Sequence, residues 1–148
     1  MNIIIKRLAA DELNEFFQML RLFEEAFEMN DFQMPGKKHL KKLLRSKNFI
    51  VFAAIDENVV IGGLTAHILP SFYSDSSEVY IYDLAVKTIF QRKGIGKKLL
   101  LALKAYCGEN NYNAFFVQAD ETDKHALEFY CATGGSPEKV VHFNYLVE

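Results

Sequence analysis

The hydrophobic pattern changes period several times along the chain, and each change marks an element. Residues 3–8 (IIIKRL) are a short apolar run of β type. From Asp11 to about Met29 the period is helical, with Leu13, Phe16, Phe17, Leu20, Phe23 and Phe27 on one side. Glu24, Glu25 and Glu28 lie on the other, Asp31 follows, and Asp11 is placed to cap the start. Pro35 and Gly36 break the chain, and KKHLKKLLRS reads as a short basic helix ending near Ser46.

Strand patterns then take over. FIVFAAI (49–55) and VVIGGLTAHIL (59–69) flank the turn DEN (56–58), a hairpin arrangement. A polar loop, Pro70 to Ser77, leads into the long strand SEVYIYDLAV (77–86). KTIFQRKG connects it to a helix running from Gly94 to about Asn110, with Leu99, Leu100 and Leu103 inward. NAFFVQAD (113–120) reads as a strand, DKHALEFYCAT (123–133) as a helix, and EKVVHFNYLVE (138–148) as a closing strand. Three consecutive strands with short links pair antiparallel, whereas the strand–helix–strand passage from 77 to 119 favours a parallel pair. The expectation is one mixed sheet covered by helices, open where its two pairing regimes meet.

Composition narrows this picture. The chain has 148 residues, enough for one domain spanning 1–148. A net charge of −2 gives no electrostatic case for nucleic acid. The two cysteines, Cys107 and Cys131, match no zinc or redox spacing and read as small buried hydrophobes. Four scattered histidines make no metal motif, so no metal is expected. No signal peptide opens the chain and no apolar run is long enough for a membrane span, so the expected location is cytoplasmic with no membrane partner.

Candidate chemistry starts with Gln91-Arg92-Lys93-Gly94-Ile95-Gly96, at a strand-to-helix handover. It is not a Walker A loop, because Gly96-Lys97 is followed by Lys98. It is not a dinucleotide fingerprint either, because Leu99 stands where a third glycine is needed. Its position still suits an anion: the amides from Arg92 to Lys97 precede any intrahelical bonding, and the glycines let an oxygen approach. Four cations (Arg92, Lys93, Lys97 and Lys98) surround it. The same features also suit a plain helix entry in a basic corner.

Asp83 interrupts the apolar VYIYDLAV, which costs stability unless the carboxyl has a partner or a task. Glu78 lies five residues earlier, so strict alternation puts the two on opposite faces and only an intervening bulge brings them together. Other acids that can favour a cationic ligand are Glu24, Glu25, Glu28 and Asp31 from the first helix, Asp75 beside Glu78, and Asp120, Glu121 and Asp123 after VQAD. Tyr80 and Tyr82 suit either sugar stacking or sheet core.

The series DLAV (83–86), QRKGIGKKLL (91–100) and ALEFYCATGG (126–135) resembles the GNAT superfamily of acetyl-CoA-dependent N-acetyltransferases. That resemblance implies an α/β (α+β) fold: a mixed, mostly antiparallel, six- to seven-stranded sheet splayed at its centre, with helices on both faces. LLRSKNFIVFAAIDENVVIGGLTAHILPSF, SEVYIYDLAV, FVQAD and the terminal HF are similar to the aminoglycoside 3-N-acetyltransferase (gentamicin) branch over nearly all of residues 3–145. The likeness implies acetyl-CoA as cosubstrate, its pyrophosphate on Gln91, Arg92, Lys93, Gly94, Ile95, Gly96 and Lys97. Its pantetheine arm would run along the backbone of Leu84, Ala85 and Val86. It also implies a bulge at Tyr82-Asp83, Tyr130 as general acid and Asp120 at the acceptor site; the residues' own chemistry adds Asp83 as base and an amine held near Glu28, Glu78, Tyr82, Asp83, Asp120 and Glu121. The acceptor would be an aminoglycoside, and the assembly a homodimer. Another amine, such as a polyamine or a protein N-terminus, fits the same chemistry, and a non-catalytic acyl-CoA-binding module fits the same fold. One departure stands out: the tyrosine motif ends Thr133-Gly134-Gly135, with an extra glycine.

Overall fold

The computed structural model describes all 148 residues. In chain order the elements are β1 (Ile3–Arg7), α1 (Leu13–Ala26), α2 (Lys37–Arg45), β2 (Phe49–Asp56), β3 (Val59–Pro70) and β4 (Ser77–Val86). A single 3₁₀ turn (Thr88–Phe90), α3 (Ile95–Glu109), β5 (Ala114–Val117) and α4 (Lys124–Ala132) complete them. Contacts group the chain into Met1–Gln118 and Ala119–Glu148.

The first group carries one sheet in the order β1-β2-β3-β4-β5. The first three pairings are antiparallel and β4 with β5 is parallel, as the connection lengths predict. The β2–β3 hairpin turns on Glu57 and Asn58, at φ 47° and 65°. Two successive left-handed residues are the type I′ geometry that matches strand twist.

Cross-strand partners share a face, so the register sorts the core. Val51, Ala53, Gly63 and Ala85 face one way and meet α1 and α2 through Phe16, Met19, Leu22, Phe23 and Leu40. A Cβ on Gly63 would stand 2.4–2.7 Å from three Met19 side-chain atoms, so glycine is what lets α1 lie this close. The other face presents Ile50, Phe52, Leu64, Ala66, Val79 and Ile81, all buried, and α3 packs across β2, β3 and β4 there. The Phe52 ring meets Tyr106 of α3 edge-on at 6.1 Å. Helices thus cover both faces, each buried large side chain contributing about 1.5–3 kcal/mol.

The fold corrects the sequence reading in five places. There are five strands, not six or seven, because residues 138–148 form no strand and are exposed throughout. β5 stops at Val117 instead of reaching Asp120. The first helix ends at Ala26, and Asp11 does not cap it; Glu12 precedes it and accepts the Ala9 N–H at 2.9 Å. Glu12 also pairs with Lys6, so its carboxylate ties the helix entry to β1. The linker after β4 contains a 3₁₀ turn, and Cys131 is exposed while Cys107 is buried.

The second group holds α4 and the chain after it. Asp123 caps α4, accepting the Ala126 N–H at 3.1 Å. The extra glycine has a purpose at the other end. Gly134 takes φ 101°, its N–H reaches Cys131 O at 3.2 Å, and the Gly135 N–H reaches Tyr130 O at 2.8 Å. These are the two bonds of a Schellman cap. A Cβ on Gly135 would sit 2.9 Å from that same oxygen, so both glycines are required.

Candidate active site

β4 breaks its regular pairing at one point, and the site grows from it. Thr65 opposes Asp83, but the next residue of β3, Ala66, opposes Ile81, leaving Tyr82 as an extra residue. This is a β-bulge, and it flips the alternation beyond it. Glu78, Tyr80, Asp83 and Ala85 consequently share one face, opposite Leu69, His67, Thr65 and Gly63. Glu78 and Asp83 therefore do lie on the same side.

Burial grades along that face. Ala85 is covered, Asp83 and Tyr80 are half-buried, and Glu78 is exposed. Asp83 thus stands where the cover of α1 gives way to open surface. No cation pairs with it, and burial alone pushes its carboxyl up to about 6 from an ordinary 3.8. A carboxylate with that value is ionised at neutral pH yet basic enough to take a proton from an amine.

An aromatic row runs beside it. The rings of Phe49 and His67 lie 5.0 Å apart, His67 and Tyr82 5.7 Å, and Tyr82 and Tyr80 5.9 Å. Tyr80 then stacks on Phe116 of β5 at 4.8 Å and 9°. The Tyr80 hydroxyl donates to Gln118 Oε1 at 3.0 Å, fixing the ring. Tyr82, the bulge residue, is 62% exposed and offers its ring to solvent. Such surfaces stack on sugar rings and hold cations.

The sheet also opens here. β5 pairs with β4 only over Glu78–Ile81, so from Tyr82 onward β4 has no neighbour on that side. The Lys87 N–H reaches Ile61 O at 2.8 Å, which fixes the ladder parity. Ala85 then bonds towards β3, while the peptide groups of Leu84 and Val86 point into the opening. The Gln91 side-chain amide donates to Val86 O at 3.1 Å and ties the next loop to this edge.

That loop enters α3 through two left-handed residues, Arg92 at φ 62° and Gly94 at φ 79°. The first helical bond is Lys98 N–H to Gly94 O at 3.0 Å. No backbone carbonyl accepts from the six amides of Arg92 to Lys97. Arg92, Lys93, Lys97 and Lys98 are all exposed, with the Lys93 ammonium over the Phe90 ring at 5.6 Å. Ile95 is buried and anchors the turn. The arrangement is suited to a polyanionic phosphate group.

The sequence profile of the Acetyltransferase (GNAT) family matches residues 11–134, a span that contains the bulge, the loop and α4. The chain belongs to that family. It is an acetyltransferase, and solved structures bring its relatives nearer. An aminoglycoside acetyltransferase from an uncultured soil metagenomic sample, meta-AAC0020, solved with trehalose, is 48% identical with TM-score 0.96. The match covers 99% of this chain and 97% of that one. The same protein solved with sisomicin gives 47% identity, the same coverage and TM-score 0.97. HMB0005, an aminoglycoside acetyltransferase also from an uncultured soil metagenomic sample, is 33% identical over the full length of both chains, with TM-score 0.94. No curated protein matches the sequence. No helix is long and apolar enough to cross a membrane, and no cluster of three or more metal-binding side chains forms.

The remaining sequence candidates of this acetyltransferase are less concentrated. Glu28 is exposed, just past α1 at φ 51°. Asp120 is exposed and locked in its own turn, accepting from Thr122 N at 2.9 Å and Thr122 Oγ1 at 2.7 Å, bonds that lower its pKa. Glu121 is exposed beside it. Tyr130 is half-buried on α4, its ring edge-on to Phe129 at 5.1 Å. Phe49, Thr65, His67, Phe116 and Gln118 escaped the sequence reading. Only the strand register aligns them with Asp83, and one sequence does not print its register.

Proposed function

We propose that this acetyltransferase moves the acetyl group of acetyl-CoA onto the 3-amino group of an aminoglycoside, and that it works as a homodimer of single domains spanning 1–148. The observation that carries the reading is Asp83: an unpaired, half-buried carboxyl on a bulge, beside an exposed aromatic row and at the edge of a sheet opening. The family match crosses both contact groups, which supports one functional domain. The likeness to a protein solved with sisomicin supports the acceptor class.

Acetyl-CoA supplies an activated acetyl group when bound. The amides of Arg92, Lys93, Gly94, Ile95, Gly96 and Lys97 fit its pyrophosphate, with Gln91 holding the loop to β4. The outward peptide groups of Leu84 and Val86, with Ala85 between them, fit an extended amide-bearing arm as a strand would. Asp83 accepts a proton from the acceptor ammonium, directly or through water, freeing its lone pair. The nitrogen then bonds to the thioester carbon as the carbon–sulfur bond breaks. Tyr130 donates a proton to the departing sulfur and is reprotonated by the second proton that the acylated nitrogen sheds. Glu28, Glu78, Asp120 and Glu121 add negative potential for a polycationic sugar, and Tyr82 gives its rings a stacking face.

The test is thiol release from acetyl-CoA with sisomicin, gentamicin, kanamycin, spermidine and a short peptide, and NMR assignment of the acetylated nitrogen. Release with the deoxystreptamine sugars and acetylation at nitrogen 3 supports the reading. Acetylation at another nitrogen removes the 3-N assignment. Release only with spermidine or peptide removes the sugar, and bound acetyl-CoA without release to any amine removes the enzyme.

A further inference from the structure

The basic character of α2 has no use in acetyl transfer. Its sequence, KKHLKKLLR, holds no acid, and its C-terminal end feeds Arg45 and Lys47 into a cleft of about 450 Å³. Arg7 enters the same cleft from the end of β1, and Tyr106 and Tyr112 close it from the end of α3. No carboxylate lines it.

This cleft is separate from the site on β4. Arg7 opposes Phe52 in the register and Phe52 packs on Tyr106, so the cleft lies on the α3 face of the sheet. Asp83 faces the other way. The cleft stands at the C-terminal end of α3, and QRKGIG at its N-terminal end. That helix has 15 residues, a length of about 22 Å.

Three cations around one cleft repel each other unless something offsets them. Carboxylates do not, because the ion pairs of the chain are Lys6 with Glu12 and Arg21 with Glu24. The last helix carbonyls already have other donors. Leu43 O accepts the Ser46 N–H at 3.0 Å, Tyr106 O the Asn110 Nδ2 at 2.8 Å, and Cys107 O the Tyr112 N–H at 2.9 Å. The side chains of Arg45 and Lys47 make no hydrogen bond, and the Arg7 guanidinium has only the Tyr106 ring, at 5.2 Å. The dipoles of α2 and α3 do favour cations here, but two helix ends supply about one negative charge between them. About two positive charges stay unmet, which is the charge of a phosphate monoester at neutral pH.

We propose that this cleft binds a phosphate monoester with a flat, largely apolar body, a nucleoside monophosphate being the simplest. Held over Tyr106, the Arg7 guanidinium keeps its N–H groups for phosphate oxygens. Arg45 adds a second planar fork and Lys47 a point charge. Phosphate alone would leave most of the space unfilled, since a volume in the range of about 300–1,000 Å³ takes a whole small organic molecule. The Tyr112 ring and the Leu8 and Leu44 side chains offer the remaining wall to a flat body. The inference is independent of the acetyl-transfer reading.

The experiment maps binding by amide NMR on the full, isotope-labelled chain, with AMP, ribose 5-phosphate, inorganic phosphate, adenosine and citrate as probes. AMP should shift the amides of residues 7–10, 44–47 and 106–112 and bind tightest. The two smaller phosphates should bind there more weakly, and adenosine should shift nothing at the same concentration. R45Q/K47Q changes two exposed side chains and should raise the AMP dissociation constant at least about 10-fold, with the urea midpoint unchanged. Arg7→Lys keeps the charge but loses the fork, and should weaken AMP as well. Shifts confined to residues 91–97 would assign the anion to the loop before α3 and overturn the cleft. Silence at about 10 mM of every probe, weaker than the millimolar range, would overturn it too. Equal binding of AMP and ribose 5-phosphate would strike the flat body, and tighter binding of citrate would strike the phosphate. None of these results touches acetyl transfer, which thiol release measures.

Discussion

Replacing Asp83 with asparagine should stabilise the protein while crippling it. Burial pushes the carboxyl up to about 6 from its ordinary 3.8, so the folded chain holds this proton more tightly than the unfolded chain does. Between those two values the native state binds the extra proton, and stability falls as pH rises; above about 6 the full penalty stands. At about 1.36 kcal/mol per pH unit the upper limit is roughly 3 kcal/mol. The side chain is only half-buried, and water screening reduces the figure to about 1–2 kcal/mol. Asp83→Asn keeps the shape and removes the charge. Urea unfolding at pH 7.5 should show the variant more stable by that amount, or about 2–8 °C higher in Tm for a chain of this length. At pH 4.5, still above the unfolded value of 3.8, the gap should narrow only to about 0.5–1 kcal/mol. Thiol release at pH 7.5 should fall by 10²-fold or more, the usual scale for losing a general base. Equal stability of the two proteins at both pH values would refute the claim that an ionised, desolvated carboxylate stands on the bulge. A stabilised variant with unchanged turnover would leave the electrostatics intact and remove Asp83 from the chemistry.

Other parts of the structure make separate demands. Tyr130→Phe should lower kcat with little change in acetyl-CoA affinity, read by steady-state kinetics and calorimetry; equal losses in both would remove the proton-donor role. Gly63→Ala drives a Cβ into buried Met19 and should cost about 1–3 kcal/mol in urea unfolding, with a coupling to Met19→Ala above about 0.5 kcal/mol in a double-mutant cycle. Gly94→Ala meets no atom within 4 Å, so its whole cost is the φ of 79°, about 1 kcal/mol, and Gly94→Asn should recover part of it. Both Gly94 variants should weaken acetyl-CoA binding by calorimetry, the alanine more.

What was legible from the sequence had a local cause. The period changes at Asp11, Phe49 and Gly94 mark real elements, and the antiparallel and parallel pairings followed from linker length. QRKGIG marked a helix entry through its glycines, but the left-handed turns at Arg92 and Gly94 came only with the structure. The acid in the apolar run VYIYDLAV was similarly visible as a contradiction. Register was not visible. The row from Phe49 through His67 to Phe116 comes from three strands, and each residue alone passes as ordinary core. The tail misled for a related reason. VVHFNYLV has the period of a strand, but a strand needs an edge to bond with, and pattern does not supply one. The turn at Asp120 was not visible either: its carboxylate accepts from Thr122, a local bond that spacing does not reveal.

One residue reconciles demands that a regular strand cannot. Without Tyr82 as an extra residue, alternation from Val79 and Ile81 would carry Asp83 onto the α3 face, among side chains with essentially no exposure. A carboxylate there would cost several kcal/mol and stay protonated. The bulge turns it to the α1 face instead, where half-burial raises its basicity without neutralising it at pH 7. The parallel pairing with β5 ends at Ile81, one residue before the bulge. From that point β4 keeps its antiparallel bonds to β3 while the peptide groups of Leu84 and Val86 face an open side. The same short stretch thus sets a half-buried carboxyl on one face and frees backbone groups at the edge beside it. An amine held against Asp83 and an acyl chain bonded along Leu84 and Val86 would meet within a few residues of Tyr82. On the proposed mechanism, the bulge would join proton removal to donor binding.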